Sequence, residues 1–408
     1  MQARSAKTVP FIQYFLFTLL VIATPFVVVT KFLQGAFYDI SHASLSLLGF
    51  HLPVLATVAV LTFVVFLVWQ RRNINPRRLG GALLVAGMIA LAHWVQDFYS
   101  GLAVFDLQMN WHYVAYAAYV YMFFRAFNRR RSNPAGMIYL AFLSAVCLST
   151  VDEFFQFNLS NRVFDVSDIA KDSWGAVIGL VLMFFVSETY GTIDFKHRSV
   201  RHGSLQGYMC DPLAAMFMTG LFSLALILLS PLLTEHEYIG IVALLSIGCF
   251  LLLAVIIHLT KFRIARVAII GVGGLLVAYL GWNLIFSNSA IICQTSGGMA
   301  LYRGIPIPFL DVMVFPNGMP RLVDKKRLFN RQDQKMLLSL EPDILLIGSG
   351  QEGKGGKGFN VQSGTTFIYN QNKRAGTQVI ILRTSEACSA FNRLNREGKK
   401  VLFVLHNS

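Results

Sequence analysis

Residues 136–157 read GMIYLAFLSAVCLSTVDEFFQF, and residues 173–190 read SWGAVIGLVLMFFVSETY. Neither stretch contains lysine or arginine. Their acidic groups sit toward one end, Asp152 and Glu153 in the first and Glu188 in the second. A helix crossing a bilayer needs about 20 mostly apolar residues, because nothing in the hydrocarbon can satisfy exposed backbone groups. Both stretches meet that requirement, and they make the chain an integral membrane protein.

The same texture recurs on either side. Nine apolar runs read as spans: 10–32, 51–70, 79–98, 111–128, 136–157, 173–190, 212–233, 238–260 and 267–286. Segment 35–50 is too short to span and carries Asp39, His42 and Ser46, so it reads as an interfacial or re-entrant piece. The first run is too long for a cleaved signal peptide and reads as an uncleaved anchor. Composition agrees. Of 408 residues, 55% are hydrophobic and 14% charged, against about 25% charged in an average soluble domain.

The net charge of +14 does not point to nucleic acid. The basic residues fall in short clusters between apolar runs, as in loops that face the cytoplasmic leaflet. With a cytoplasmic N-terminus, the inside segments hold Arg4 and Lys7, then Arg71, Arg72, Arg77 and Arg78. They also hold Arg125 with Arg129 to Arg131, Lys196 with Arg198 and Arg201, and Lys261 with Arg263 and Arg266. The outside loops hold only Lys31, Arg162 and Lys171. Nine spans then place the C-terminus outside.

From residue 290 the apolar runs shorten to strand length and charge rises. Val312–Phe315, Asp343–Ile347, Thr365–Tyr369, Gln378–Leu382 and Lys400–Leu405 read as strands, with a turn at Pro316-Asn317-Gly318. Gln332–Leu340 and a segment from Thr384 or Ser385 to Glu397 read as helices. Alternating strands and helices imply a small α/β domain. The expected fold is therefore a polytopic α-helical membrane bundle with a C-terminal soluble α/β domain. Its parts are an anchor helix over 1–34, a membrane domain over 35–190, three more membrane helices over 191–289, and the soluble domain over 290–408.

The chemistry concentrates between the fifth and sixth runs, in Asp152, Glu153, Gln156, Arg162, Asp165, Asp168 and Asp172. Acidic groups at a membrane helix end are costly without water, a cation or a donor. Asp165, Asp168 and Asp172 share one face if their segment is helical, and Arg162 is a candidate partner. The bland reading is helix capping at the interface. The functional one is an outward polar site for a ligand or ion, with clustered carboxylates holding a divalent cation against a head-group phosphate as one version.

The order and spacing of these residues resemble the VanZ-like membrane protein family, whose signature is D-E-x-x-Q, then R-x-x-D-x-x-D, then an asparagine or similar residue and a glycine shortly before the next span. Asp152, Glu153, Gln156, Arg162, Asp165, Asp168 and Gly175 match it. His112 and Tyr116 match the family's H-x-x-x-Y on an earlier span. Two positions depart. Gln108, with Asp106 nearby, replaces the acidic residue expected before His112, and Asp172 replaces the asparagine. The resemblance covers about 35–190 and implies a bacterial cytoplasmic-membrane protein related to glycopeptide resistance, with no settled chemistry.

The C-terminal part offers a false lead. Gly348 to Lys354 fit G-x-x-x-x-G-K after a strand, but Gly355 stands where a P-loop needs Ser or Thr, and no helix is expected to follow. The better resemblance is to the small α/β domain family that includes a respiratory complex I assembly factor. It is carried by LLIGSG at 345–350 and by Thr384, Ala387, Cys388, Phe391, Asn392, Leu394, Glu397 and Gly398. Cys388, Asn392 and Glu397 are its candidate site residues. None of the five cysteines has zinc-ligand spacing. If this domain is outside, Cys293 and Cys388 are placed to form a disulfide.

No cofactor motif is present. Three functions compete: binding of a lipid head group or cell-wall-related molecule, scaffolding of a protein partner through the C-terminal domain, and hydrolysis using the carboxylates with His112 as acid and base.

Overall fold

The computed structural model describes residues 2–28, 36, 39–41, 43–47, 50–54, 57–58, 61, 75–96, 107–127, 133–157, 164–190, 202–230, 239–286, 291–294, 299–308, 311–318, 320–323, 337, 340–353, 366–370 and 375–406. Two compact units emerge, the first built mainly from residues before His258 and the second from Leu259 onward.

The first unit is helical. It comprises α1 (Gln2–Val28), a hairpin of β1 (Ser44–Leu47) and β2 (Phe50–Pro53), α2 (Pro76–Gln96), α3 (Leu107–Phe127) and α4 (Pro134–Phe157). It continues with α5 (Val166–Val181), α6 (Leu205–Cys210), α7 (Pro212–Leu229) and α8 (Ile239–Leu259). One starting device recurs at α2, α4 and α7. A side chain that caps comes first, then proline at the first helical position. Asn75 Oδ1 accepts from the Arg78 N–H at 2.8 Å, Asn133 Oδ1 from Ala135 at 3.1 Å, and Asp211 Oδ1 from Leu213 at 2.9 Å. The proline gives up only an N–H that a first turn cannot use.

Helix α5 is the centre of this unit. Every residue from Val166 to Val181 is buried except Asp168. It runs on through a π-helical turn, Leu182–Val186, and packs on α2, α3, α4 and α7. Its closest neighbour is α3. A methyl group added at Gly175 would stand 2.9 Å from the Tyr113 Cα and the His112 carbonyl oxygen, and one at Gly179 only 2.7 Å from the Ala117 Cα. Two glycines four residues apart thus let the backbones touch, as small residues do where packing rather than solvent drives association. Trp174 pins the opposite side, its Nε1 donating to the Met88 carbonyl at 2.8 Å.

Among the described residues, four helical stretches are long and apolar enough to cross a membrane: Pro134–Gln156, Val166–Val186, Pro212–Leu229 and Arg263–Asn283. The nine expected spans are not reached. Residues 51–70 lie mostly outside the described residues. Pro10–Thr24 and Ala243–Leu259 are apolar but shorter. Helix α3 carries Asn110, His112, Arg125 and four tyrosines, which lower its apolar character. The expectation for 35–61 also needs correction. Residues 44–53 form an antiparallel hairpin, with Leu47 paired to Phe50 across the turn, so the chain is extended where the fifty-first residue was expected to open a span.

The second unit begins with α9 (Arg263–Phe286), whose apolar side chains are unburied by protein all along the spanning stretch. A three-stranded antiparallel sheet follows, β3 (Ile291–Gln294), β4 (Met299–Tyr302) and β5 (Ile305–Pro308). The larger sheet uses β6 (Asp311–Val314), β7 (Pro320–Val323), β8 (Ile344–Ser349), β9 (Thr366–Asn370), β10 (Ala375–Leu382) and β11 (Val401–His406), in the order β7-β6-β11-β8-β10-β9. Central β8 is parallel to both β10 and β11; the other pairings are antiparallel. Helix α10 (Thr384–Arg396) makes the crossover and buries Ala387, Cys388, Phe391 and Leu394 against Val401, Phe403 and Leu405. This sheet domain follows the expected strands closely. Of the expected helix at 332–340, only positions 337 and 340 are described, and both are helical.

Candidate functional site

The first turns of α3 and α5 and the last turns of α4 come together, as antiparallel neighbours must. His112 lies in the second turn of α3, Asp152, Glu153 and Gln156 near the end of α4, and Asp165, Asp168 and Asp172 at the start of α5. The Gly175 contact holds α3 against α5 beside these residues.

One bonded group centres on Asp172. Its Oδ1 meets His112 Nδ1 at 2.8 Å, and its Oδ2 accepts from Ser149 Oγ at 2.6 Å. Asp172, the position departing from the family pattern, therefore supplies the histidine with a carboxylate partner. Gln108 is on α3, and Asp106 lies outside the described residues. Next to this group, Lys171 Nζ donates to Asp168 Oδ1 at 2.6 Å, and His112 Nε2 stands 3.8 Å from the same oxygen.

A second group ties α4 to the entry of α5. Glu153 Oε2 accepts from the Asp165 N–H at 2.7 Å, and Gln156 Nε2 donates to both Glu153 Oε1 and Asp152 Oδ2. Asp165 caps α5, accepting from the Ser167 N–H at 2.8 Å. Burial, and then the charge of Asp168, push the Asp165 carboxyl up from its ordinary range, against the pull of Lys171. Among the described residues of the site, Asp152 Oδ1 is buried without a hydrogen bond.

The structure thus gathers His112, Tyr116, Asp152, Glu153, Gln156, Asp165, Asp168 and Asp172 at one end of the bundle. Arg162, the expected partner, lies outside the described residues. Lys171 corrects the sequence reading. It is not a loop charge but a buried residue of α5, 5% exposed and paired with Asp168. Its i, i+3 spacing from Asp168 is the signal that finds it. Ser149 carried no such signal, since it sits one residue type among many in an apolar run. No group of three His, Cys, Asp or Glu side chains among the described residues is arranged to hold a metal ion.

The C-terminal candidates do not converge. Cys388 is buried and disulfide-bonded, whereas Cys147, Cys210 and Cys249 are free. Asn392 is half-buried, its carbonyl accepting from Arg396 Nε. Glu397 is exposed at the far end of α10, facing Arg393 at 4.0 Å. The expected cap also differs. Arg383 precedes the helix without a side-chain cap, because Thr384 Oγ1 is bonded elsewhere, to the Gly350 N–H and the His406 carbonyl.

A family model described as VanZ/LLP1 matches residues 57–187, which include every described residue of the α3–α4–α5 site. The match stops before the sheet domain. No characterised protein and no solved structure gives a match. This part of the chain is thus similar to VanZ/LLP1 proteins, and it contains helices long and apolar enough to cross a membrane.

Proposed function

We propose that the VanZ-like part of this chain binds a polar molecule bearing hydrogen-bond donors, an amine or hydroxyls of a lipid head group or cell-wall-related compound, in the envelope of a bacterium. The observation that carries this is one orphaned atom, the buried Asp152 Oδ1, beside an otherwise bonded network. Buried polar atoms without partners cost about 1–3 kcal/mol each, so a ligand that supplies the missing donor gains that energy on binding. In this reading the bundle has about nine spans with the site facing outward, and the network holds the ligand rather than turning it over.

The test uses delipidated protein in detergent with phosphatidylethanolamine or phosphatidylglycerol added. Phosphatidylethanolamine is expected to raise the melting temperature of the wild type more than phosphatidylglycerol does, and to lose that advantage in Asp152→Asn. Equal shifts by both lipids, or the same preference in the variant, would contradict the proposal.

The sheet domain belongs outside the cytoplasm on this reading. Its support is the cysteine pattern: three free thiols in the helical unit, and a bonded Cys388 in the sheet unit, where α10 packs on the strand that carries Cys293. Structural disulfides persist in oxidising compartments. Cells quenched with a membrane-permeant maleimide and then lysed under denaturing conditions should show Cys388 unmodified until a reductant is added. A Cys388 that is alkylated without reductant would place the domain inside.

A further inference from the structure

The small three-stranded sheet meets α9 at the end of the spanning stretch, and the length of that stretch sets the depth of the contact. Arg263–Asn283 has 21 residues. At about 1.5 Å per residue it measures about 31 Å, against about 30 Å for the hydrocarbon of a bilayer. As a span, α9 puts Asn283 at one edge of the membrane. Aromatic residues gather there, as they do at a membrane–water boundary. Tyr279, Trp282 and Phe286 are 48%, 65% and 64% exposed, and the rings of the last two stand 4.5 Å apart. Between Phe286 and β3 lie only residues 287–290, which reach about 17 Å at most.

The β4–β5 turn closes on this edge. Arg303 and Gly304 form it, both with positive φ, 51° and 76°, as tight two-residue hairpins favour. The Tyr279 hydroxyl donates to the Gly304 carbonyl at 2.6 Å. Asn283 lies so near that a methyl group added at Gly304 would stand 2.7 Å from its Oδ1. The hairpin is also tied into the larger sheet. Tyr302, 1% exposed, donates its hydroxyl hydrogen to the Gly318 carbonyl at 2.6 Å, between β6 and β7. At the other end of β6, Asp311 Oδ2 meets His406 Nδ1 of β11 at 2.6 Å. A turn bonded on both sides keeps the depth that α9 sets.

The two faces of the hairpin differ. Paired residues share a face, and successive residues alternate. Ala300 pairs with Ile307 and Tyr302 with Ile305. Ala300, Tyr302 and Ile307 belong to the core of the sheet unit. Leu301 pairs with Pro306, on the opposite face. Leu301 is half-buried and Pro306 exposed. An apolar pair therefore faces away from the core, beside a turn held at the membrane edge. Arg303 stands next to it, its guanidinium over the Tyr302 ring at 5.7 Å. An apolar face flanked by aromatic and basic side chains fits the boundary where acyl chains give way to phosphates.

We propose that the β4–β5 hairpin lies in the head-group layer of the bilayer with Leu301 and Pro306 turned toward lipid, so that the sheet domain rests on the membrane surface. This requires only that α9 cross the bilayer. It holds on whichever side the domain stands, and it does not depend on the site of α3, α4 and α5.

The test places the photoreactive residue p-benzoylphenylalanine at single positions of the full-length protein. Each variant is irradiated in nanodiscs of phosphatidylethanolamine and phosphatidylglycerol, and lipid adducts are read as added mass on the denatured protein. The positions are Pro306, its partner Leu301, Val272 on α9 (68% exposed), and Arg393 on the exposed face of α10. Pro306 is exposed on an edge strand and tolerates a larger side chain, and Leu301 supplies an independent second position. Adducts are expected at Val272, Leu301 and Pro306, with none at Arg393. Adducts at Val272 but at neither hairpin position would overturn the proposal. So would equal yields at Arg393 and the hairpin, or no adduct at Val272, which would take α9 out of the lipid.

Discussion

Replacing Gly179 by alanine is expected to destabilise the helical unit by about 1–3 kcal/mol, the range for overpacking a filled interior. The new methyl would sit 2.7 Å from the Ala117 Cα and 2.8 Å from its carbonyl oxygen. Neither is the end of a flexible side chain, so whole helices must move. Gly175→Ala meets backbone at 2.9 Å and should behave alike, with the added result that His112 shifts away from Asp172. The control is Gly271→Ala on α9, where nothing lies within 4 Å of the added methyl. There alanine only improves helix propensity, by less than about 1 kcal/mol. Thermal unfolding followed by size-exclusion chromatography in detergent separates the cases. Equal melting temperatures for Gly179→Ala and Gly271→Ala would show that α3 and α5 do not touch as described.

Asp172→Ala is expected to have the largest effect of any single change in the polar network. It strips the partner from His112 Nδ1 and from Ser149 Oγ together. Ser149 is fully buried and His112 about four-fifths buried, so the two abandoned donors cost about 1–3 kcal/mol each and a loss of about 2–5 kcal/mol follows. Asp172→Asn should cost less. Its amide keeps the size and retains one oxygen to accept from either donor, and it restores the residue that the family pattern has at this position. A double-mutant cycle between His112→Ala and Asp172→Ala checks the bond itself. Coupling of about 0.5–3 kcal/mol is expected for residues in direct contact, and additive losses would count against it.

The sequence made the apolar spans and the grouping of the polar residues visible, because both rest on local signals. Apolar length marks a span, and the spacing of Asp152, Glu153, Gln156, Asp165, Asp168 and Asp172 marks a shared end. The strands of the sheet domain were legible for the same reason, with Asp343–Ile347 and Gln378–Leu382 falling on β8 and β10. What escaped were features decided by distant partners. Ser149 gains meaning only once α5 brings Asp172 to it, 23 residues along the chain. Lys171 looked like a loop charge because a buried lysine needs an acid that only the folded helix supplies. Gly179 looked like one apolar residue among many until α3 lay against it. Asp311 and His406 stand 95 residues apart, and no local pattern joins them. The hairpin at 44–53 shows the reverse error. An apolar run of that length was compatible with helix or strand, and backbone pairing between Leu47 and Phe50 decided it.

The central claim is that the orphaned Asp152 Oδ1 receives a guest. Native mass spectrometry of the protein extracted gently from its own membranes tests it without assuming which head group binds. The account predicts a wild-type spectrum with one retained lipid-sized adduct that survives collisional activation, and a spectrum without it for the Asp152→Asn variant. The same adduct at the same occupancy in both proteins would contradict it.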